Sequence, residues 1–521
     1  MRKNTTFSQK TPEQQPSKNT PLKKLYPTTR NITKKSSTPD KKNVISGHIS
    51  DYLTSLFGEA EVSRFVELLG NPRKQSIRVN TLKTGRDKLK TVLESKYGIV
   101  TEEHPEISEG LVIASDPENL IGKTFEHLLG YYYIQSTSSM LPPHYLEPEP
   151  GTKVLDLCAA PGSKSTQLAA MMENTGMLVL NEVQGDRLRT LAFNVERTNV
   201  FNAGIIQSKG EWLGKYYQNY FDKILVDVPC SGLGIIQKKE EVNKWWSISS
   251  IAGLINLQMS LVIAAVKMLK PGGELIYSTC TLTTEENEEI IDKVLEKYPV
   301  ELIPVSVPGG IEGFTSAPGK KFSPELAKTT RVLPWLSNSE GFYLAKIVKT
   351  GETEKVKDGA IPEGRTVIKP FKKVKPTLSS VISNFGISED YLSSLQFADH
   401  GKKLYMVSGD WDDHRTGIYD RIGLKLGAYE KSEQVILNSI AAQALAPHIT
   451  KGIIDLDNHE ELRTYMEGGI VKQYANFERT SGAERQVVIR TAGEIIGTGV
   501  VTERGLKSQF PRGHRNQNFR F

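Results

Sequence analysis

Three cysteines, Cys158, Cys230 and Cys280, are all that this chain of 521 residues carries. So small and odd a set builds no disulfide framework and shows no zinc-ligand spacing, so no metal is expected and a reducing, cytoplasmic setting fits. Long apolar runs are missing too. Nothing approaches the roughly 20 residues that cross a bilayer, and the basic, polar start from Met1 to Lys42 has no apolar core of a secretory leader. Neither membrane insertion nor export is expected. Charge of one sign is also scarce. The 66 Lys and Arg against 60 Asp and Glu leave +6, which permits an anionic partner without demanding one.

What is present is length beyond one compact core, so two or three domains are expected. Residues 1–46 are rich in Lys, Ser, Thr, Pro, Gln and Asn and nearly free of large apolar side chains, which predicts a disordered basic tail. Its Lys23, Lys24, Arg30, Lys34, Lys35, Lys41 and Lys42 suit either phosphate contact or plain solvation. Residues 47–150 form a first globular part. There Tyr52, Leu53, Leu56, Phe57, Val62, Phe65, Val66 and Leu69 recur at helical spacing and predict a packing helix. Ser76–Leu82 alternates like a strand, and Gly130–Leu141 reads as an aromatic strand with a polar turn.

Residues 151–350 alternate apolar strands with helical segments, as in a parallel sheet flanked by helices. Strands are predicted at Lys153–Leu157, Met177–Glu182, Ala203–Gln207, Lys223–Val228, Glu274–Ser278 and Phe342–Val348. Helices are predicted to include Leu188–Arg197, Ile251–Leu269 and Glu285–Tyr298, with Pro271-Gly272-Gly273 as a turn. A linker at 351–376 leads to a third part, 377–521, in which Arg485–Val501 alternates like strands and the end is basic.

Ligands of open α/β sheets sit beyond the carboxyl ends of the strands. After the first strand stands Asp156-Leu157-Cys158-Ala159-Ala160-Pro161-Gly162-Ser163-Lys164, a turn of small residues entering a helix, which lets a ligand approach the backbone and free N–H groups. It has neither the G-x-G-x-x-G of nicotinamide sites nor the G-K-[ST] ending of a phosphate loop. The second strand ends at Glu182, placed to accept from ribose hydroxyls. Together these point to an adenosine-bearing cofactor, with S-adenosylmethionine favoured. The fourth and fifth strands run into Asp227-Val228-Pro229-Cys230-Ser231-Gly232 and Ser278-Thr279-Cys280-Thr281. Lone cysteines are usually small buried hydrophobes, but two at neighbouring functional strand ends point to chemistry.

These runs carry a resemblance. Phe221–Gly232 (FDKILVDVPCSG) is similar to the signature of the Nop/Sun family of RNA cytosine-5 methyltransferases. So are CAAPGSK at Cys158–Lys164, STCT at Ser278–Thr281, RVNTL at Arg78–Leu82, QSTSSMLP at Gln135–Pro142 and GFYLAKI at Gly341–Ile347. The resemblance implies a fold of the α/β class. Its core would be a Rossmann-like methyltransferase with a mostly parallel sheet and helices on both faces. A small α+β RNA-binding subdomain would precede the core. Arg421-Ile422-Gly423-Leu424-Lys425-Leu426-Gly427 and the terminal Arg504, Lys507, Arg512, Arg515 and Arg520 resemble, more loosely, a mainly β PUA-like RNA-binding extension.

Carbon 5 of cytosine is too weak a nucleophile to take a methyl group unaided, and a thiolate added at carbon 6 solves this. The residues alone leave open which cysteine attacks, since Pro229-Cys230 also matches the motif of DNA cytosine methyltransferases. The resemblance assigns Cys280 as nucleophile, Cys230 to release, and Asp227 to the cytosine amino group and the methyl donor. By the same resemblance Cys158, Ala159, Ala160, Pro161, Gly162, Ser163, Lys164, Glu182, Arg187 and Asp227 hold S-adenosylmethionine. Arg78 and Asn80 meet RNA, either ribosomal or transfer RNA, and a monomer is expected. One position departs from the pattern: Lys209 stands where the third strand's end is usually acidic, so Ser208 or a backbone carbonyl must serve adenine. The rival readings are a DNA cytosine methyltransferase and a catalytically silent RNA-binding or ribosome assembly factor.

Overall fold

A strand buried on both faces must be apolar at every position, because successive side chains point to opposite sides. The computed structural model, which describes residues 45–71, 73–474, 486–515 and 520, shows this division directly. Val154, Leu178, Leu180, Ile205 and Leu225 enter one core, and their neighbours Leu155, Val179, Ile206, Ile224 and Val226 enter another.

The first part begins with α1 (Gly47–Phe57) and α2 (Glu59–Leu69), where one packing helix was expected. Gly58 divides them. Its φ of 84° is a conformation that L side chains rarely adopt, and its N–H caps α1 by donating to the Thr54 carbonyl at 2.9 Å. Ile45 is already buried and the Ser46 N–H donates to Asn243, so the fold begins inside the expected tail, whose residues 1–44 lie outside the described residues. Strand β1 (Ser76–Val79) pairs with β2 (Tyr132–Ile134) in a four-stranded antiparallel sheet.

The turn expected after β2 is instead helix α3 (Thr137–Leu146), despite Pro142 and Pro143 inside it. A helical proline leaves the carbonyl four residues earlier without its donor. The Gln135 side-chain amide donates to the carbonyl of Ser139, four residues before Pro143, at 3.0 Å. This donor comes from outside the helix.

The large sheet has ten strands. Its centre comprises β3 (Lys153–Asp156), β4 (Met177–Asn181), β5 (Ala203–Ile206), β6 (Phe221–Asp227) and β7 (Leu269–Thr279), in the order β7-β6-β3-β4-β5 and all parallel. Helices α4 (Ser163–Met171) and α5 (Gly185–Arg197) pack in one core, while α6 (Ala252–Met268) and α7 (Glu288–Lys297) pack in the other. Outside the centre the pairing is antiparallel. Strand β8 (Phe342–Lys349) flanks β7, and Thr330–Val332 lies beyond it, so the sheet is mixed rather than mostly parallel. The Pro271-Gly272-Gly273 run is an irregularity within β7, between Leu269 paired to Phe221 and Glu274 paired to Lys223.

At the opposite edge, β9 (Tyr419–Ile422) pairs antiparallel with β5. The last part of the chain thus completes the large sheet. Its own residues form two five-stranded sheets with short helices. The end of the expected linker belongs to it, since Val367–Pro370 pairs with Leu395–Asp399 and Phe371 and Val374 are buried in its core. No helix among the described residues is long and apolar enough to cross a membrane.

Candidate active site

Parallel pairing sets Asp227, the last residue of β6, beside Ser278 of β7, and both chains then turn away at one sheet edge. From there the two loops carry their thiols together. Cys230 Sγ lies 3.2 Å from Cys280 Sγ, and the Cys280 N–H donates to Cys230 Sγ at 3.3 Å. Both thiols are free and partly exposed. Their hydrogen bond, and burial after it, push the Cys230 thiol well above its ordinary range.

Beside the pair, Asp227 accepts from Lys164 Nζ at 2.8 Å and from Ser278 Oγ at 2.8 Å. Burial works against the Lys164 ammonium, but the Asp227 carboxylate outweighs it and raises the lysine. The Phe342 ring lies 5.5 Å from that ammonium. The site therefore sets an oriented carboxylate and a fixed cation next to two sulfurs.

The cofactor turn leaves β3 through Cys158, whose thiol burial drives well above its ordinary range. Gly162 has a φ of 106°, and a Cβ there would come 3.1 Å from Leu191. The turn is fastened from behind. Asn194 donates to the Pro161 carbonyl at 2.9 Å, and Arg187 donates to that of Ala160. Buried Glu182 accepts from the Gln184 N–H at 2.8 Å and faces Arg187 at 3.3 Å. Asp156 is buried, and burial raises its carboxyl to about 7. Its Oδ2 accepts from Ser165 at 2.7 Å, while its Oδ1 and the Asn181 amide oxygen have no partner among the described residues. Orphaned buried acceptors bordering a turn of small residues fit a ligand bearing donor groups, as S-adenosylmethionine does.

The two cysteine loops share a brace that the motifs did not reveal. Buried Glu286 accepts from the Ser231 N–H at 2.8 Å, from Gln258 at 2.9 Å and from Thr283 at 2.9 Å, and also from Ser231 Oγ. Ser231 meets Thr281 at 2.8 Å, and Gln258 donates to the Pro229 carbonyl at 2.9 Å. The run LINLQMSLVIAAV holds Asn256, Gln258 and Ser260, and nothing in it singles out Gln258.

Arg78 and Asn80, expected to meet RNA, have buried side chains. They are 1% and 2% exposed. Arg78 donates to Gln135 at 2.9 Å and to Thr166 at 2.8 Å, and Asn80 donates to the Gly130 and Thr198 carbonyls at 2.9 and 3.0 Å. Their donors fasten the first part to α4 and to the end of α5. Lys209 stands clear of any acidic role, with its ammonium 4.9 Å from the ring centre of Trp212, which is 51% exposed.

A parallel five-strand centre with a small-residue turn after its first strand and two thiols at its active edge defines a Rossmann-like methyltransferase. A family model for the 16S rRNA methyltransferase RsmB/F matches residues 143–348, and one for the N-terminal domain of 16S rRNA methyltransferase RsmF matches residues 48–137. The tRNA (cytosine(49)-C(5))-methyltransferase of Pyrococcus abyssi is 40% identical over 55% of this chain and 91% of its own length. The ribosomal RNA small subunit methyltransferase F of Aeromonas salmonicida is 32% identical over 87% of this chain and 93% of its own. Among solved structures, a methyltransferase homolog protein from Pyrococcus horikoshii is 37% identical, with a TM-score of 0.53 over 57% of this chain and 93% of that one. The chain belongs to the RsmB/F family, and it is an S-adenosylmethionine-dependent RNA cytosine-C5 methyltransferase.

Proposed function

We propose that Cys280 attacks carbon 6 of the target cytosine and that Cys230 assists release. The observation that carries this is the 3.2 Å thiol pair, in which hydrogen bonding and burial keep the proton on Cys230. The Cys280 sulfur adds to carbon 6 and leaves carbon 5 electron-rich. Asp227, oriented by Lys164 and Ser278, meets the cytosine amino group. The cofactor, when bound along Cys158 to Lys164 and beside Glu182, Arg187 and Asp227, supplies a methyl group on a sulfonium. Carbon 5 takes that methyl and then gives up its proton to a solvent water, the carbon–sulfur bond breaks, and its electron pair returns to Cys280. A hydrogen bond donated by Cys230 stabilises that departing thiolate, since bonds to an ionised acceptor are the strong ones.

The proposed substrate is ribosomal RNA. The relative named for small-subunit ribosomal RNA spans 87% of this chain, against 55% for the one named for tRNA. The two C-terminal sheets and the exposed Arg504, Lys507 and Arg512 support a PUA-like RNA-binding role for that region. The protein is proposed to act as a monomer and without a metal. Labelled methyl transfer to total RNA, with bisulfite sequencing to locate the product, tests the reading. Transfer that is lost in Cys280→Ala is expected. No transfer by the intact protein would favour a silent assembly factor. On a denaturing gel Cys230→Ala should trap a covalent RNA adduct and Cys280→Ala should not, and the reverse result exchanges their roles.

A further inference from the structure

A cavity of about 210 Å³ opens behind the cofactor turn and is lined by His127, Tyr133, Ile134, Phe193, Asn194 and Arg197. Its walls come from the first part of the chain and from α5, and Phe193 is backed by the His514 ring at 5.0 Å. The same Asn194 amide that lines it holds the Pro161 carbonyl at 2.9 Å, so the cavity and the cofactor turn share a residue.

The lining is aromatic, and its polar groups are neutral or already engaged. Arg197 is buried and donates to the His127 carbonyl at 2.6 Å, with its guanidinium 5.6 Å from the Tyr133 ring. It offers little to a phosphate. Burial and then Arg197 lower His127 to about 4, so its imidazole is neutral, and one ring nitrogen is held by the Gly122 carbonyl. The other is left to accept. The Tyr133 hydroxyl accepts from Asn194 at 3.1 Å. A flat, uncharged, hydrogen-bonding ligand fits such a slot.

We propose that this cavity is a stacking slot for an unpaired base of the substrate RNA that flanks the target cytosine. The proposal rests on the RNA methyltransferase reading and goes beyond it, by giving the enzyme a contact for sequence context outside the thiol site. A flipped target leaves its neighbours unstacked, and aromatic faces receive such bases readily.

The test uses the full-length protein, total RNA and labelled cofactor. Phe193→Leu keeps apolar volume and loses the flat face. It should raise KM for RNA with kcat and calorimetric cofactor affinity unchanged. Phe193→Ala should raise KM by about five- to a hundred-fold, the usual range for a lost base stack. An RNA oligonucleotide with 4-thiouridine beside its single cytosine should crosslink to the peptide containing Tyr133 or Phe193. Unchanged KM in the variants, while the wild type methylates RNA, overturns the slot and leaves the enzyme's function standing. A fall in cofactor affinity in place of a KM effect reassigns the cavity to the cofactor and also overturns it. No transfer to RNA by the wild type removes both readings together.

Discussion

Lys209 is the residue at which this chain departs from the acidic pattern expected at the end of its third strand. Its side chain shows where the charge goes: onto the face of an exposed Trp212, which Lys215 also approaches at 5.7 Å. Exposed cation–π contacts are worth only ~0.5–1 kcal/mol, so the arrangement is easily given up. Lys209→Asp is therefore expected to keep or tighten cofactor affinity, and a marked loss by calorimetry would remove this position from the adenine side of the site. At the same scale, Arg78 and Asn80, expected to contact RNA, fasten the first part of the chain to α4 and to the end of α5. Arg78→Lys should cost about 1–3 kcal/mol, because a lysine cannot serve Gln135 and Thr166 from one planar head. Chemical denaturation measures this, and stability within experimental error of the wild type would contradict the account.

Among the elements, the two cysteine loops depend on one carboxylate. Glu286 stands at the entry to α7 and gathers donors from the Cys230 loop, from α6 and from Thr283. Glu286→Ala strands those donors in a buried setting, at roughly 2–5 kcal/mol in stability. It should also lower kcat more than it raises KM for the cofactor, since the thiol pair loses its spacing while the cofactor turn is untouched. Equal loss in both would point to general loosening. This brace also marks the limit of what the sequence disclosed. The five central strands and α5, α6 and α7 were legible because apolar period is local, and the thiols were legible because they follow strand ends. The brace was not, because its partners at 231, 258, 283 and 286 meet only after the sheet has formed. The break at Gly58 and helix α3 were hidden for related reasons. A glycine inside a periodic run leaves the period intact, and two prolines argue for a turn unless the amide of Gln135 is known to be near.

In the molecule as a whole, distant segments are tied by buried polar groups. The Lys83 ammonium donates to the Arg197 carbonyl at 3.0 Å and lies 3.4 Å from the Gln443 amide oxygen, joining three regions. His127 and His514 are both lowered to about 4 by burial and then by Arg197. Their ordinary value is 6.5, so below it the unfolded chain binds protons that the folded one refuses. Their contribution is fully present above pH ~6.5 and is lost as pH falls toward ~4. His514→Phe should make the fall of the thermal midpoint across that window shallower, and an unchanged slope would show that His514 is not part of the acid response.

The strand β9 has a further consequence, in the order of events during synthesis. Its partner β5 is made about two hundred residues earlier, and until Tyr419 to Ile422 emerge that edge of the large sheet has no neighbour. An unpaired edge is a template for pairing with other chains, and so distant a contact must close a long loop before it is rewarded. Completion of the catalytic sheet thus waits on the last third of the chain. A nascent protein halted near residue 350 would have its thiols and cofactor turn, yet would expose to its neighbours on the ribosome the strand that the finished molecule covers for itself.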